Sequence, residues 1–297
     1  RRREAAILRG KMNDAQERRQ DDEWSIEGGD DIGMKAHALY QSLVNDGEIE
    51  EMDGDEKEEL DRMRSELKTL QQQYDELEDH NDELYDKISD LENEIAKVAS
   101  TSDFLHLDIM DNIFVPNFTF DLNRAFEIIK FSKLPVDAHL MVNNPDEIAP
   151  LYADNGCTSV TFHLEAARDV AQTIKNVRSS GAKVGLAIKP ATQFDDVKRW
   201  IEEIDMLLIM TVEPGFGGQS FMHDQMPKVK QARSFIEKLL KAKPTLQIDG
   251  GVSLETIAEA AQAGANCFVA GSAVYKSDKP AEMVSNLREL AEKNYPY

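Results

Sequence analysis

In "FLHLDIMDNIFVPN", residues 104–117, a histidine, an aspartate and a methionine stand at every second position of an apolar run. Side chains two apart on a strand share a face, so His106, Asp108 and Met110 point one way and Leu105, Leu107 and Ile109 the other. Alone, this is equally a strand with a stray polar pair. The pattern repeats in "PVDAHLM", where Asp137, His139 and Met141 share a face, and "LQID" delivers Asp249 in phase with Gln247, directly before Gly250 and Gly251. Two imidazoles and two carboxylates at the ends of three strands suit zinc or another divalent transition metal. Three glycine-bearing loops end the last three strands: "VEPGFGGQSF" (212–221), "DGG" (249–251) and "AGSAVY" (270–275). Glycine lets backbone N–H groups approach an anion closely. The ligand they imply is a phosphorylated small molecule whose other end reaches the metal.

The elements that must carry these groups begin at about residue 99. Short apolar strands are expected over 104–110, 135–141, 158–164, 183–188, 205–212, 245–249 and 267–270. Amphipathic stretches such as "NRAFEIIKF", "RDVAQTIKNVRSSG", "DDVKRWIEEI", "MPKVKQARSFIEKLLK" and "LETIAEAAQAG" lie between them. Alternating βα units mean a parallel sheet. The expected fold is α/β: a (β/α)8 TIM barrel short of one strand, whose chemistry sits at the carboxyl ends of the strands.

The front third is written differently. Leu60, Leu67, Tyr74, Asn81, Ile88 and Ile95 recur every seven residues, and Met63, Leu70, Leu77, Leu84, Leu91 and Val98 recur in the companion phase. This is the heptad pattern of a coiled coil, with Asn81 the polar insertion that favours a parallel pair; one long solvated helix is the alternative. The chain thus divides into a weakly structured acidic segment (1–54), a coiled-coil helix (55–89) and the barrel (90–297). Residues 1–98 hold about 14 basic against about 30 acidic groups, so most of the net charge of −22 lies there. Such a chain repels nucleic acid. Its apolar runs are too short for a membrane span, its start lacks a signal-peptide core, and its two distant cysteines fit a reducing, cytoplasmic setting.

Taken in order, "HLDIMDNIFVPNFTF", "VDAHLMV", "TFHLEA", "MTVEPGFGGQSF", "QIDGGV" and "VAGSAVY" resemble ribulose-phosphate 3-epimerase from about Asp90 to the C-terminus. The resemblance implies that His106, Asp108, His139 and Asp249 bind one divalent metal ion (Zn, Fe, Mn or Co). It implies that Asp108 and Asp249 double as acid and base on opposite sides of the substrate. Met110, Met141 and Met210 would line the pocket. Gly215, Phe216, Gly217, Gly218, Gly250, Gly251, Gly271 and Ser272, with His139 and Asp249, would hold the phosphorylated ketose. His163 also matches the family and reads as structural or supporting. The implied reaction interconverts D-ribulose 5-phosphate and D-xylulose 5-phosphate in the pentose phosphate pathway. The alternatives are a hexulose-phosphate 3-epimerase, or a non-catalytic coiled-coil interaction protein with an incomplete barrel. A homo-oligomer is expected, through a parallel zipper over residues 60–84 or through barrel faces. The family's first strand, with its substrate-contacting serine, has no counterpart unless "REAAILRG" or "HALYQSLV" returns to fill the gap. Asn112 stands where the family usually has glycine, and Ile113 where it often has histidine or arginine.

Overall fold

The computed structural model describes residues 90–240 and 243–297 continuously, with nine helical positions between 54 and 73. The chain divides into two units, Arg1–Lys87 and Ile88–Tyr297. In the first, the described positions, Gly54 to Gln73, are all exposed and all lie off the apolar seam of the heptads. The seam residues from Leu60 to Leu84 fall outside the described residues, as do "REAAILRG" and "HALYQSLV".

The second unit opens with α1 (residues 90–98). Seven parallel strands follow, paired in chain order: β1 (Leu105–Met110), β2 (Val136–Met141), β3 (Ser159–His163), β4 (Lys183–Ile188), β5 (Met206–Met210), β6 (Thr245–Asp249) and β7 (Cys267–Val269). The helices between them are α2 (Leu122–Phe131), α3 (Pro145–Asp154), α4 (Val170–Ser179), α5 (Phe194–Val197, continuing as a 3-10 turn over Lys198–Glu203), α6 (Met226–Ile236) and α7 (Ile257–Ala263). After β7 come α8 (Ser272–Tyr275) and α9 (Pro280–Asn294). The alternation required of a parallel βα barrel is complete for seven strands. β1 and β7 are the two sheet edges, and among the described residues no eighth strand joins them. Arg288 of α9 ties the two ends together, donating to the Thr101 carbonyl at 2.9 Å and the Asp103 carboxylate at 2.8 Å.

Strand alternation sorts the side chains into two layers. Leu107, Ile109, Leu140, Phe162, Leu186, Ile209 and Ile248 face the helices in one continuous core. Val98 and Leu91 of α1 pack into that core, and Ile95 is also buried. These three heptad positions therefore cover the barrel. The opposite phase faces the barrel axis. There Ala187, Leu208, Met210 and Val212 form one apolar cluster, and Met110, Val115 and Met141 another. Apart from Met110 and Met141 at the strand ends, the inward residues of β1 to β3 are polar: His106, Asp108, Asp137, His139, Ser159, Thr161 and His163. Polar groups crowd this side of the barrel, and Gln247 and Asp249 of β6 meet them from across the axis.

Candidate active site

The parallel register of β1 and β2 sets His106 beside Asp137, Asp108 beside His139, and Met110 beside Met141. On the far side it sets Met210 beside Asp249. These pairings converge. His106, Asp108, His139 and Asp249 each offer a ligand atom, all within 4.8 Å of one another. His139 Nδ1 lies 2.9 Å from Asp108 Oδ1 and 3.8 Å from Asp249 Oδ2.

The donor set fits a divalent cation on its own chemistry. His106 donates through Nδ1 to Asp137 at 2.9 Å. This leaves its Nε2 buried without a hydrogen-bond partner, with Asp108 Oδ1 at 3.3 Å. An unpaired buried ring nitrogen aimed at a carboxylate costs free energy and is the arrangement a metal ligand needs. Asp137 is held in turn by Ser159 Oγ at 2.6 Å and Gln247 Nε2 at 3.3 Å.

Electrostatics drive the two catalytic candidates apart. Burial alone would raise the pKa of Asp108, but its contacts with His106 and His139 outweigh that and hold it far below the carboxylate range. Burial, and then the charge of Asp108, push Asp249 up from 3.8 to about 6. Burial would lower His106, yet Asp108 and Asp137 pull it well above 6.5. His163, fully buried, is pushed down to about 4 chiefly by desolvation.

Above this floor opens a pocket of about 130 Å³. Asp108, Asp249 and the three methionines Met110, Met141 and Met210 line its base. Gly215, Phe216, Gly217, Gly218, Gly250, Gly251, Gly271 and Ser272 line the rest. Every residue singled out for the site in the sequence thus lies on this pocket, except His106 and His139, which stand behind its wall. The glycines differ in kind. Gly250 and Gly251 adopt φ of 117° and 67°, and an added Cβ would meet Val212 at 2.4 Å and the Phe221 backbone at 2.6 Å respectively. At Gly217, Gly218 and Gly271 it would meet nothing within 4 Å.

Sequence reasoning missed several parts. Asn117 Nδ2 donates to the Gly215 carbonyl at 2.8 Å, pinning the loop after β1 to the glycine loop after β5. Gln219 Nε2 donates to the Glu213 and Phe216 carbonyls at 2.6 and 2.8 Å and holds that loop's shape. Phe114 packs beside His163, ring centroids 4.9 Å apart, with the Lys189 ammonium 3.7 Å above its own ring centroid. Neither amide has a spacing signal, because each acts through backbone carbonyls. Asn112 alone among the described non-glycine residues has a positive φ, 58°, which explains why glycine suits that position.

Fold and site together define a βα-barrel protein with a carboxylate–imidazole centre beneath a glycine-lined mouth. The model of the Ribulose-phosphate 3 epimerase family matches residues 84–275, and the chain belongs to that family. It is therefore an epimerase, an enzyme of the isomerase class. A ribulose-phosphate 3-epimerase of Mycobacterium bovis is 42% identical over 196 residues, covering 66% of this chain and 85% of that protein. The Bacillus subtilis protein of the same name is 36% identical over 197 residues, covering 66% and 91%. Among solved structures, 3-hexulose-6-phosphate synthase from Salmonella typhimurium is similar with a TM-score of 0.50 at 20% identity, covering 68% of this chain and 92% of that one; this likeness concerns the fold alone.

Proposed function

We propose that the protein is a metal-dependent epimerase interconverting D-ribulose 5-phosphate and D-xylulose 5-phosphate, a step of the pentose phosphate pathway. The observation that carries this is the four-ligand cluster at the base of a pocket whose other wall is made of glycine loops. His106, Asp108, His139 and Asp249 would hold one divalent ion. When bound, that ion supplies positive charge beside the oxygens of the reacting carbons. The proton work belongs to the chain. Inverting a hydroxyl-bearing carbon beside a ketone requires a proton to leave one face and another to arrive on the opposite face. Asp108, held ionised, is the base in one direction. Asp249, which retains a proton more readily, is the acid, and the roles exchange for the reverse reaction. Met110, Met141 and Met210 keep bulk water from the enediolate without competing for its proton. The loops at Gly215–Gly218, Gly250–Gly251 and Gly271–Ser272 receive the phosphate.

The same reading takes the protein as cytoplasmic and homo-oligomeric, with the barrel from about residue 90 preceded by a coiled-coil helix and an acidic segment. Among the described residues no helix is long and apolar enough to cross a membrane. The edges of β1 and β7, which no other strand joins among the described residues, favour a second reading, a coiled-coil interaction protein on an incomplete barrel. One assay separates the two. The purified chain, loaded with zinc, iron, manganese or cobalt, is expected to epimerise ribulose 5-phosphate in preference to the hexulose phosphate. A folded protein inert with every metal and both sugars refutes the catalytic reading.

A further inference from the structure

Behind His139 lies a cluster whose residues are not among those lining the pocket. His139 Nε2 is 3.0 Å from His163 Nε2. His163 Nδ1 is 3.2 Å from Glu165 Oε2. The other oxygen of Glu165 accepts from the Lys189 backbone N–H at 2.7 Å and from the Thr192 hydroxyl. Both imidazoles are fully buried, and β3 carries His163 as its last residue. We infer that Glu165 and His163 are positioning residues that fix the tautomer of His139 and so keep its Nδ1 lone pair free for the metal.

The reasoning is a proton count. Glu165 receives two donors on one oxygen, and a carboxylate is the form that accepts them. Its remaining contact, to His163 Nδ1, is a hydrogen bond only if that nitrogen carries the proton. A neutral imidazole has one N–H, so His163 Nε2 is then an acceptor. Only one proton fits between two nitrogens 3.0 Å apart, and it must now belong to His139 Nε2. Neutral His139 is left with its lone pair on Nδ1, the nitrogen 2.9 Å from Asp108 and 3.8 Å from Asp249. The opposite assignment would put the proton on His139 Nδ1, where it bonds Asp108 only while no cation is held there, and would set the His163 Nδ1 lone pair against a carboxylate oxygen. With a cation held by His139 and Asp108, only the first assignment leaves no lone pair facing a carboxylate. A ring nitrogen can serve a metal only through its lone pair, and the hydrogen bond on the other nitrogen decides which one that is. His106 reaches the same end by the short route, through Asp137. His139 reaches it through an intervening histidine.

This inference rests on the metal site proposed above, and the test keeps the two apart. Zinc affinity is measured by chelator competition for the parent and for Glu165→Gln, which keeps the volume but replaces a fixed acceptor with an amide that can present N–H instead. The expected loss in the variant is about tenfold to a hundredfold, the usual effect of removing a partner behind a ligand. A parent that in such competition binds none of zinc, iron, manganese or cobalt overturns both readings; equal affinities of parent and variant for a metal the parent binds overturn this one alone. Nitrogen-15 NMR of the histidine-labelled, zinc-loaded parent needs no variant and stands even if Glu165→Gln fails to fold. It should find protons on His163 Nδ1 and His139 Nε2, with none on His163 Nε2. A proton on His163 Nε2 overturns the inference, and a purely structural role for Glu165 would not fix that assignment.

Discussion

Exchanging single glycines for alanine should separate those that fold the mouth of the pocket from those that serve its ligand. At Gly251 the backbone is left-handed, φ 67°, and an alanine Cβ would fall 2.6 Å from the Phe221 nitrogen and 2.7 Å from its Cα. The left-handed conformation costs a non-glycine residue about 1–2 kcal/mol, and displacing packed backbone adds about 1–3 kcal/mol. Gly251→Ala should therefore lose about 2–5 kcal/mol, a large share of the roughly 5–15 kcal/mol available to a domain. With about 2–4 °C per kcal/mol for a unit of this size, thermal melting should show a drop of roughly 5–20 °C. Gly217 is the opposite case. Its φ is outside the left-handed region and an added methyl meets nothing within 4 Å, so the free protein should be unchanged or gain about 0.4–1 kcal/mol from a less flexible unfolded chain. Its cost appears only with substrate. A methyl between the loop and a phosphate should raise KM about tenfold, near 1.4 kcal/mol, and leave kcat nearly untouched, because binding is lost equally from ground and transition states. Gly217→Ala with unaltered KM would refute the placement of the phosphate. Gly251→Ala with unaltered melting would refute the division of the glycines.

Asp249→Asn removes a proton-carrying group at almost constant volume, so turnover should vanish with the fold intact. Because burial and Asp108 raise the folded pKa of Asp249 from 3.8 to about 6, its contribution is present below pH 4 and lost as pH rises through 6. The metal-free Asn variant should thus be more stable than the parent at pH 7, by up to about 3 kcal/mol, and no more stable at pH 4, as urea titrations would reveal. Glu165 has the reverse sign. Burial opposes its ionisation, but bonds from His163, Thr192 and the Lys189 N–H bring it from 4.5 down to about 2, so its stabilisation is present above pH 4.5 and lost as pH falls towards 2. Glu165→Gln should flatten the parent's acid-induced loss of stability in that window. At Asn112, φ 58°, alanine should cost about 1 kcal/mol and glycine should cost nothing; differential scanning calorimetry distinguishes them.

The seven strands and the helices of the barrel were legible because each inner face alternates with a helix-covered outer face, and the observed strands fall within one or two residues of those expected. α3 was harder to see, since Pro145 and Pro150 sit within it. Pro145 occupies the first helical turn, where its missing N–H costs nothing. The heptads posed a real ambiguity. Residues 91, 95 and 98 satisfy a zipper repeat and a barrel-covering stripe alike, because both use spacings of three and four. Periodicity has no term for the partner. Leu107 and Ile109, buried on the outer face of β1, need a cover, and Leu91 and Val98 of α1 belong to the same continuous core.

The roles of Asp137 and Glu165 were beyond the sequence for a different reason. On β2, Asp137, His139 and Met141 share one face, and nothing in their spacing tells a metal ligand from a residue that orients one. Register decides. Pairing His106 with Asp137 and Asp108 with His139 gives each histidine a carboxylate neighbour, but only Asp108 shares the cluster with Asp249. A slip of one residue would turn every one of these side chains to the opposite face. What holds the register is the outer core, where Leu107, Ile109, Ala138 and Leu140 pack together under the helices. The apolar phase of each strand therefore fixes the geometry of the polar phase. This is why the residue types of the cluster could be read from the sequence, while the carboxylates that stand behind its imidazoles could be found only once the strands were set side by side.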